Sequence, residues 1–96
     1  MKISYYAILR NDSDNLWLSF PDLPGCLTFG EDYQHIKLMA KDALDLYLHD
    51  MNIKNLPVPT KKEDFNLENN QELLLVTTNF KIINDKVFFD NIEKVF

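Results

Sequence analysis

Apolar residues recur along this chain with two different periods. From Ile3 to Leu9 they alternate, with Ile3, Tyr5, Ala7 and Leu9 on one face. From Leu16 to Phe20 they alternate again, with Leu16, Leu18 and Phe20 set against Trp17 and Ser19. A period of two is that of an extended strand with one buried face, so both segments are predicted as strands. The polar run Asn11-Asp12-Ser13-Asp14-Asn15 separates them, and such side chains bond nearby backbone and favour turns. The pair is predicted as an antiparallel hairpin.

Pro21-Asp22-Leu23-Pro24-Gly25 then interrupts the pattern. Two prolines fix φ and remove donors, and the glycine admits positive φ, so the segment is a rigid corner. A short third strand is predicted from Cys26 to Phe29. After Gly30-Glu31, Asp32 is placed to cap a helix. From Tyr33 the apolar positions are Ile36, Ala40, Ala43, Leu44, Tyr47, Leu48 and Met51. Steps of three and four predict an amphipathic helix of about five turns. Its outer face is expected to carry Lys37, Lys41, Asp42, Asp45 and Asp50.

Residues 52–72 are polar, hold Pro57 and Pro59, and read as a surface loop. Glu72 to Phe80 is predicted as a fourth strand. Lys81 to Phe89 reads as its continuation, turning at Asn84-Asp85, and Asp90 to Phe96 as a closing helical turn. The predicted class is α+β, an antiparallel sheet with one main helix on one face in the order βββαβ, plus a C-terminal hairpin.

The chain has 96 residues, enough for one modest core, and a formal net charge of −5. The charge is concentrated in residues 31–72, where nine acidic groups face five basic ones. That sign repels phosphate, so this chain alone is not expected to bind nucleic acid; it attracts a basic partner. The single cysteine, Cys26, fits a reducing compartment. The first residues lack a signal-peptide pattern and no apolar run is long enough to span a membrane, so a cytoplasmic protein is expected.

The run Ser19-Phe20-Pro21-Asp22-Leu23-Pro24-Gly25-Cys26, followed by Gly30 and by Ala40-Lys41-Asp42-Ala43-Leu44-Asp45-Leu46-Tyr47-Leu48, resembles the HicB family of type II antitoxins in order and spacing. The resemblance runs from Ile3 to Phe80. It implies a partial ribonuclease-H-like fold in residues 1–80 and a partner, a HicA-like toxin, which is a small basic RNA-cleaving protein whose active surface the antitoxin covers. Longer members carry a C-terminal DNA-reading segment. Here residues 81–96 hold three basic groups against three acidic ones, and no such segment is recognisable. Two further functions stay open beside neutralisation: autoregulation of transcription together with the toxin, and a stand-alone structural or assembly role.

The chain is not expected to be an enzyme, and no cofactor or metal site is expected. Cys26 lacks a base: His35 and His49 lie fourteen residues apart on the helix and do not converge. Asp12, Asp14 and Asp22 fall in turns, and Asp42, Asp45 and Asp50 on a helix face, so no carboxylates converge from strand interiors on metal ions. Glu31, Asp32, Glu63, Asp64, Glu68 and Glu72 are the candidates for meeting a basic toxin. Phe20, Pro21, Asp22, Leu23, Pro24, Gly25 and Cys26 form a structural motif, with Phe20 and Leu23 as apolar anchors. In the C-terminal extension, Phe80, Ile82, Ile83, Val87, Phe88, Phe89, Ile92, Val95 and Phe96 are too apolar for a solvated tail. A homodimer interface is expected there, centred on Val87, Phe88 and Phe89, against the alternative that the hairpin folds onto its own core.

Overall fold

The computed structural model describes residues 1–90. The alternation at the N-terminus becomes a long strand, β1 (Lys2–Asp12), followed by β2 (Asn15–Ser19) and β3 (Leu27–Gly30). The helix α1 spans Tyr33–Leu48, and β4 (Gln71–Asn79) returns to the sheet. The strands lie in the order β3-β2-β1-β4, every neighbouring pair antiparallel. The α+β class expected from the sequence is what the chain adopts.

The core forms where one face of this sheet meets α1. Tyr5, Ala7 and Leu9 of β1, Leu16 and Leu18 of β2 and Val76 of β4 bury against Ile36, Ala40, Leu44 and Leu48. The i, i+4 spacing of the last four places them in one row along the helix. The helix begins where expected: the Asp32 carboxylate accepts the His35 amide at 2.8 Å. It starts close against the sheet, because a Cβ on Gly30 would lie 2.9 Å from the backbone of Ile36. Only glycine permits that approach.

α1 ends a turn earlier than its periodicity suggests. His49 leaves the helical region at ψ 132, Asp50 at φ +68 completes a turn closed by Met51 N–H to Leu48 C=O at 3.0 Å, and Met51 still packs against the core from beyond the end. One outer-face assignment is overturned. Asp45 is 1% exposed, and its carboxylate accepts from Lys41 Nζ at 2.7 Å and from the buried Thr78 hydroxyl of β4. Lys41 lies one turn earlier on the helix, and together the two partners supply the polar contacts that a buried carboxylate requires.

The polar segment 52–70 holds two short 3-10 turns, Ile53–Asn55 and Lys62–Asp64. Since β2 pairs only with Ile8 to Asp12, the first half of β1 has no strand neighbour on that side. The loop crosses there from one face of the sheet to the other. Pro57 accepts the Tyr5 hydroxyl on the helix side, and Phe65 meets Tyr6 on the opposite side, ring centroids 5.9 Å apart.

The last segment does not continue β4. It forms a separate two-stranded sheet, β5 (Lys81–Ile83) and β6 (Lys86–Phe88), joined by Asn84 and Asp85 with φ of 53 and 63. Paired positive φ values define the tight turn that suits the twist of a hairpin. β6 is stitched to the chain leaving α1 by Asp50 N–H to Val87 C=O and Val87 N–H to Met51 C=O, both 2.8 Å. Val87 and Phe89 are 1% and 2% exposed and belong to the main core, with Phe89 6.4 Å from Phe80. The expected interface centred on Val87, Phe88 and Phe89 is therefore revised: two of the three face inward, and Phe88 stays at the surface beside His49. The hairpin buries Val87 and Phe89 on its own chain and leaves Ile82, Ile83 and Phe88 at the surface. Ile92, Val95, Phe96 and the closing helical turn lie outside the described residues.

Candidate partner-binding surface

The Phe20–Cys26 corner is two consecutive β-turns. Leu23 N–H donates to Phe20 C=O at 3.0 Å, and Cys26 N–H to Leu23 C=O at 2.9 Å. Pro24 followed by Gly25 at φ +84 gives the second turn its shape, since φ is positive at the third position. Phe20 and Leu23 are fully buried beneath it. The corner is tied on both sides: Tyr47 donates to Pro24 C=O at 2.9 Å, and Asp22 accepts the Thr60 amide and hydroxyl at 2.8 and 2.6 Å. Pro21, Asp22, Leu23, Pro24 and Gly25 thus join sheet, helix and crossing loop.

Cys26 is buried and its thiol donates to Ala43 C=O at 3.6 Å. Burial pushes its pKa up to about 11. That is the reverse of what a nucleophilic thiolate requires. Tyr5 is pushed up to about 12, first by burial and then by the negative Asp22. Both groups ionise more readily in the unfolded chain. Their contribution to stability is therefore complete below the unfolded values of 9.0 and 10.0 and is lost as pH rises through about 11 and 12. Urea midpoints measured upward from about pH 8 should fall more steeply for the native chain than for Cys26→Ala or Tyr5→Phe. Parallel curves for all three would refute this assignment.

The six acidic candidates do not form one set. Glu31, Asp32, Glu68 and Glu72 lie toward the end of the sheet where β1 ends and β4 begins, beside Asp12 and Asp14 of the first hairpin. Glu63 and Asp64 lie in the second 3-10 turn, next to Phe65 on the crossing loop. Asp32 is already committed to capping α1, and Glu31 donates its amide to His35 Nδ1 at 3.2 Å. Among the described residues, no group of three or more His, Cys, Asp or Glu side chains could hold a metal ion. None of the helices described is long and apolar enough to cross a membrane.

The face of the sheet turned away from α1 was not singled out by its sequence. β1, β2, β3 and β4 place Tyr6, Ile8, Arg10, Trp17, Leu27, Phe29, Leu73 and Leu75 on it. Phe65 covers Tyr6, but the half formed by β2 and β3 is open. There Trp17 and Phe29 sit opposite one another with ring centroids 5.6 Å apart, and Leu27 and Phe29 are each 59% exposed. A shallow groove of about 280 Å³ runs between Ile8, Arg10, Trp17, Ser19, Leu27 and Gln71. Large apolar side chains clustered at the surface mark interaction sites more often than chance exposure does. The signal in the sequence was a tryptophan at an outward strand position, which alternation alone files as solvent-facing.

No family model matches this chain. It is 30% identical over 56 residues to a UPF0150 protein of Helicobacter pylori (strain J99 / ATCC 700824), a match covering 58% of this chain and 78% of that protein. Its fold matches a chain of a toxin–antitoxin complex from Streptococcus pneumoniae with a TM-score of 0.72 and 18% identity, covering 82% of this chain and 70% of the other.

Proposed function

This chain belongs to the UPF0150 protein family, and from that premise we propose that it is an antitoxin, a cytoplasmic protein that binds a small basic RNA-cleaving toxin of the HicA type and covers its active surface. The observation that carries the reading is the shared fold with a chain of a toxin–antitoxin complex. Two features of the chain support it. The HicB-like run Ser19–Cys26 forms the anchored corner between β2 and β3, and the open half of the sheet offers exposed apolar side chains with acidic residues at one end. Acidic groups at the rim would speed the approach of a basic partner, and Trp17, Phe29 and Leu27 would supply the desolvated contact. In this reading the chain performs no catalysis of its own and acts by occupying its partner.

Co-expression with the small basic protein encoded by the neighbouring reading frame tests the proposal. The expected result is a stable complex, restored growth and suppressed RNA cleavage, with no cleavage by this chain alone in Mg²⁺ or Mn²⁺. Absence of a complex at micromolar concentrations, together with no rescue of growth, would sink it.

A further inference from the structure

We infer that the free edge of β3 pairs antiparallel with β3 of a second copy, so that two four-stranded sheets become one sheet of eight strands. The backbone phase makes this possible. Phe20 N–H donates to Cys26 C=O, and in an antiparallel ladder hydrogen-bonded positions alternate. The Cys26 carbonyl and the amide groups of Thr28 and Gly30 therefore turn toward β2, while Leu27 and Phe29 turn theirs outward, where no strand is present among the described residues. A two-fold axis through Thr28 sets Leu27 of one copy opposite Phe29 of the other. That pairing is self-complementary, as a two-fold interface must be. Each unpaired N–H and C=O of Leu27 and Phe29 gains a partner, and the apolar side chains meet on the same face.

The surroundings of the edge fit a second copy on both sides of the sheet. On the open side, pairing extends the Trp17–Phe29 contact across the axis. On the helix side, a groove of about 280 Å³ runs between Gly25, Cys26, Leu27, Ala43, Leu46 and Tyr47. Leu46 at its lip is 65% exposed. The segment from Cys26 to Gly30 carries none of the charges that protect sheet edges from pairing. In this register Glu31 falls opposite Gly25, so like charges do not meet. The other edge, β4, is less suitable. It carries Glu72, and on the helix side the Lys41–Asp45 ion pair borders it.

The area is sufficient. Trp17, Leu27, Phe29 and Leu46 are between 38% and 65% exposed. Counting roughly 100 Å² for each, with the edge backbone and groove walls, gives about 600 Å² per copy, at the lower end of specific interfaces. Such an interface suits a dimer that dissociates in the micromolar range, leaving the apolar side chains available to a stronger partner.

Sedimentation of the chain alone, without toxin, tests this independently of the antitoxin reading. A concentration-dependent dimer is expected, and Phe29→Lys should weaken it by roughly 30-fold or more, since a charge would be buried at the axis. Because Phe29 is exposed in the monomer, circular dichroism and the thermal midpoint measured at concentrations below dimerisation should be unchanged, which separates lost association from lost folding. Hydrogen exchange gives a second readout: the Leu27 and Phe29 amides should gain protection as concentration rises. The inference is overturned by a monomer at hundreds of micromolar, or by a dimer that survives Phe29→Lys. It is equally overturned if Leu75→Lys or Phe88→Lys dissociates the dimer instead, which would place the interface at β4 or at the hairpin.

Discussion

Phe20→Ala should lower stability by about 3–5 kcal/mol, the largest effect expected of any single truncation in this chain. Phe20 is 2% exposed and lies beneath the corner, where its backbone also closes the last pair of the β2–β3 ladder. Truncation leaves a cavity that the two rigid turns above cannot close. A chain of this size has a total stability of about 5–14 kcal/mol, so the loss is a large share of the whole. A drop in thermal midpoint of roughly 15–30 °C is expected, with Phe20→Leu intermediate. A midpoint within a few degrees of the native value would show that the corner is not part of the cooperative core.

The second large effect is expected at Asp45. Asp45→Ala removes the acceptor of the buried Thr78 hydroxyl and separates Lys41 from its partner. Leaving a buried hydroxyl unpaired and losing a charge-assisted bond together cost about 2–4 kcal/mol. Lys41 is half-exposed and can turn to water, which keeps the value at the lower part of the range for broken buried pairs. Asp45→Asn retains an acceptor for Thr78 and should cost only about 1 kcal/mol. Denaturant unfolding of the two variants separates the contributions. Equal losses would mean that the charge, not the hydrogen bond to β4, holds the helix in place; no loss in either would mean that the network contributes nothing.

Asp45 also shows where reading the chain stops. Along α1 it sits on the polar side, and helical periodicity has no means of knowing that β4, more than thirty residues later, delivers a threonine to meet it. The same limit applies to the hairpin. Its apolar content was visible and its turn at Asn84-Asp85 was placed correctly, but whether Val87 and Phe89 face their own core or another chain depends on where α1 ends. Asp50 in the left-handed region sends the chain back along β6, and the hydrogen bonds of Asp50 and Met51 with Val87 turn Val87 and Phe89 toward their own core.

The acidic candidates are divided between two places in the fold for a related reason. Charge counted along the sequence groups Glu31 with Glu63, yet the fold leaves the first at the end of the sheet and the second on the crossing loop. Trp17, Leu27 and Phe29 show the converse. Each was an outward residue of a different short strand, and only the β1–β2–β3 ladder sets Trp17 opposite Phe29 and beside the groove.

By itself the sequence determined what depends on neighbours in the chain: the alternating strands, the proline–glycine corner, the Asp32 cap and the buried row of α1. Those features follow from periods of two and 3.6 residues and from local backbone chemistry, which short segments carry whole. The tertiary structure alone decided which polar groups are buried and paired, which apolar groups are spent inside, and which sheet edge is left free. These depend on contacts between residues far apart in the chain, whose energies exist only once the elements have been brought together.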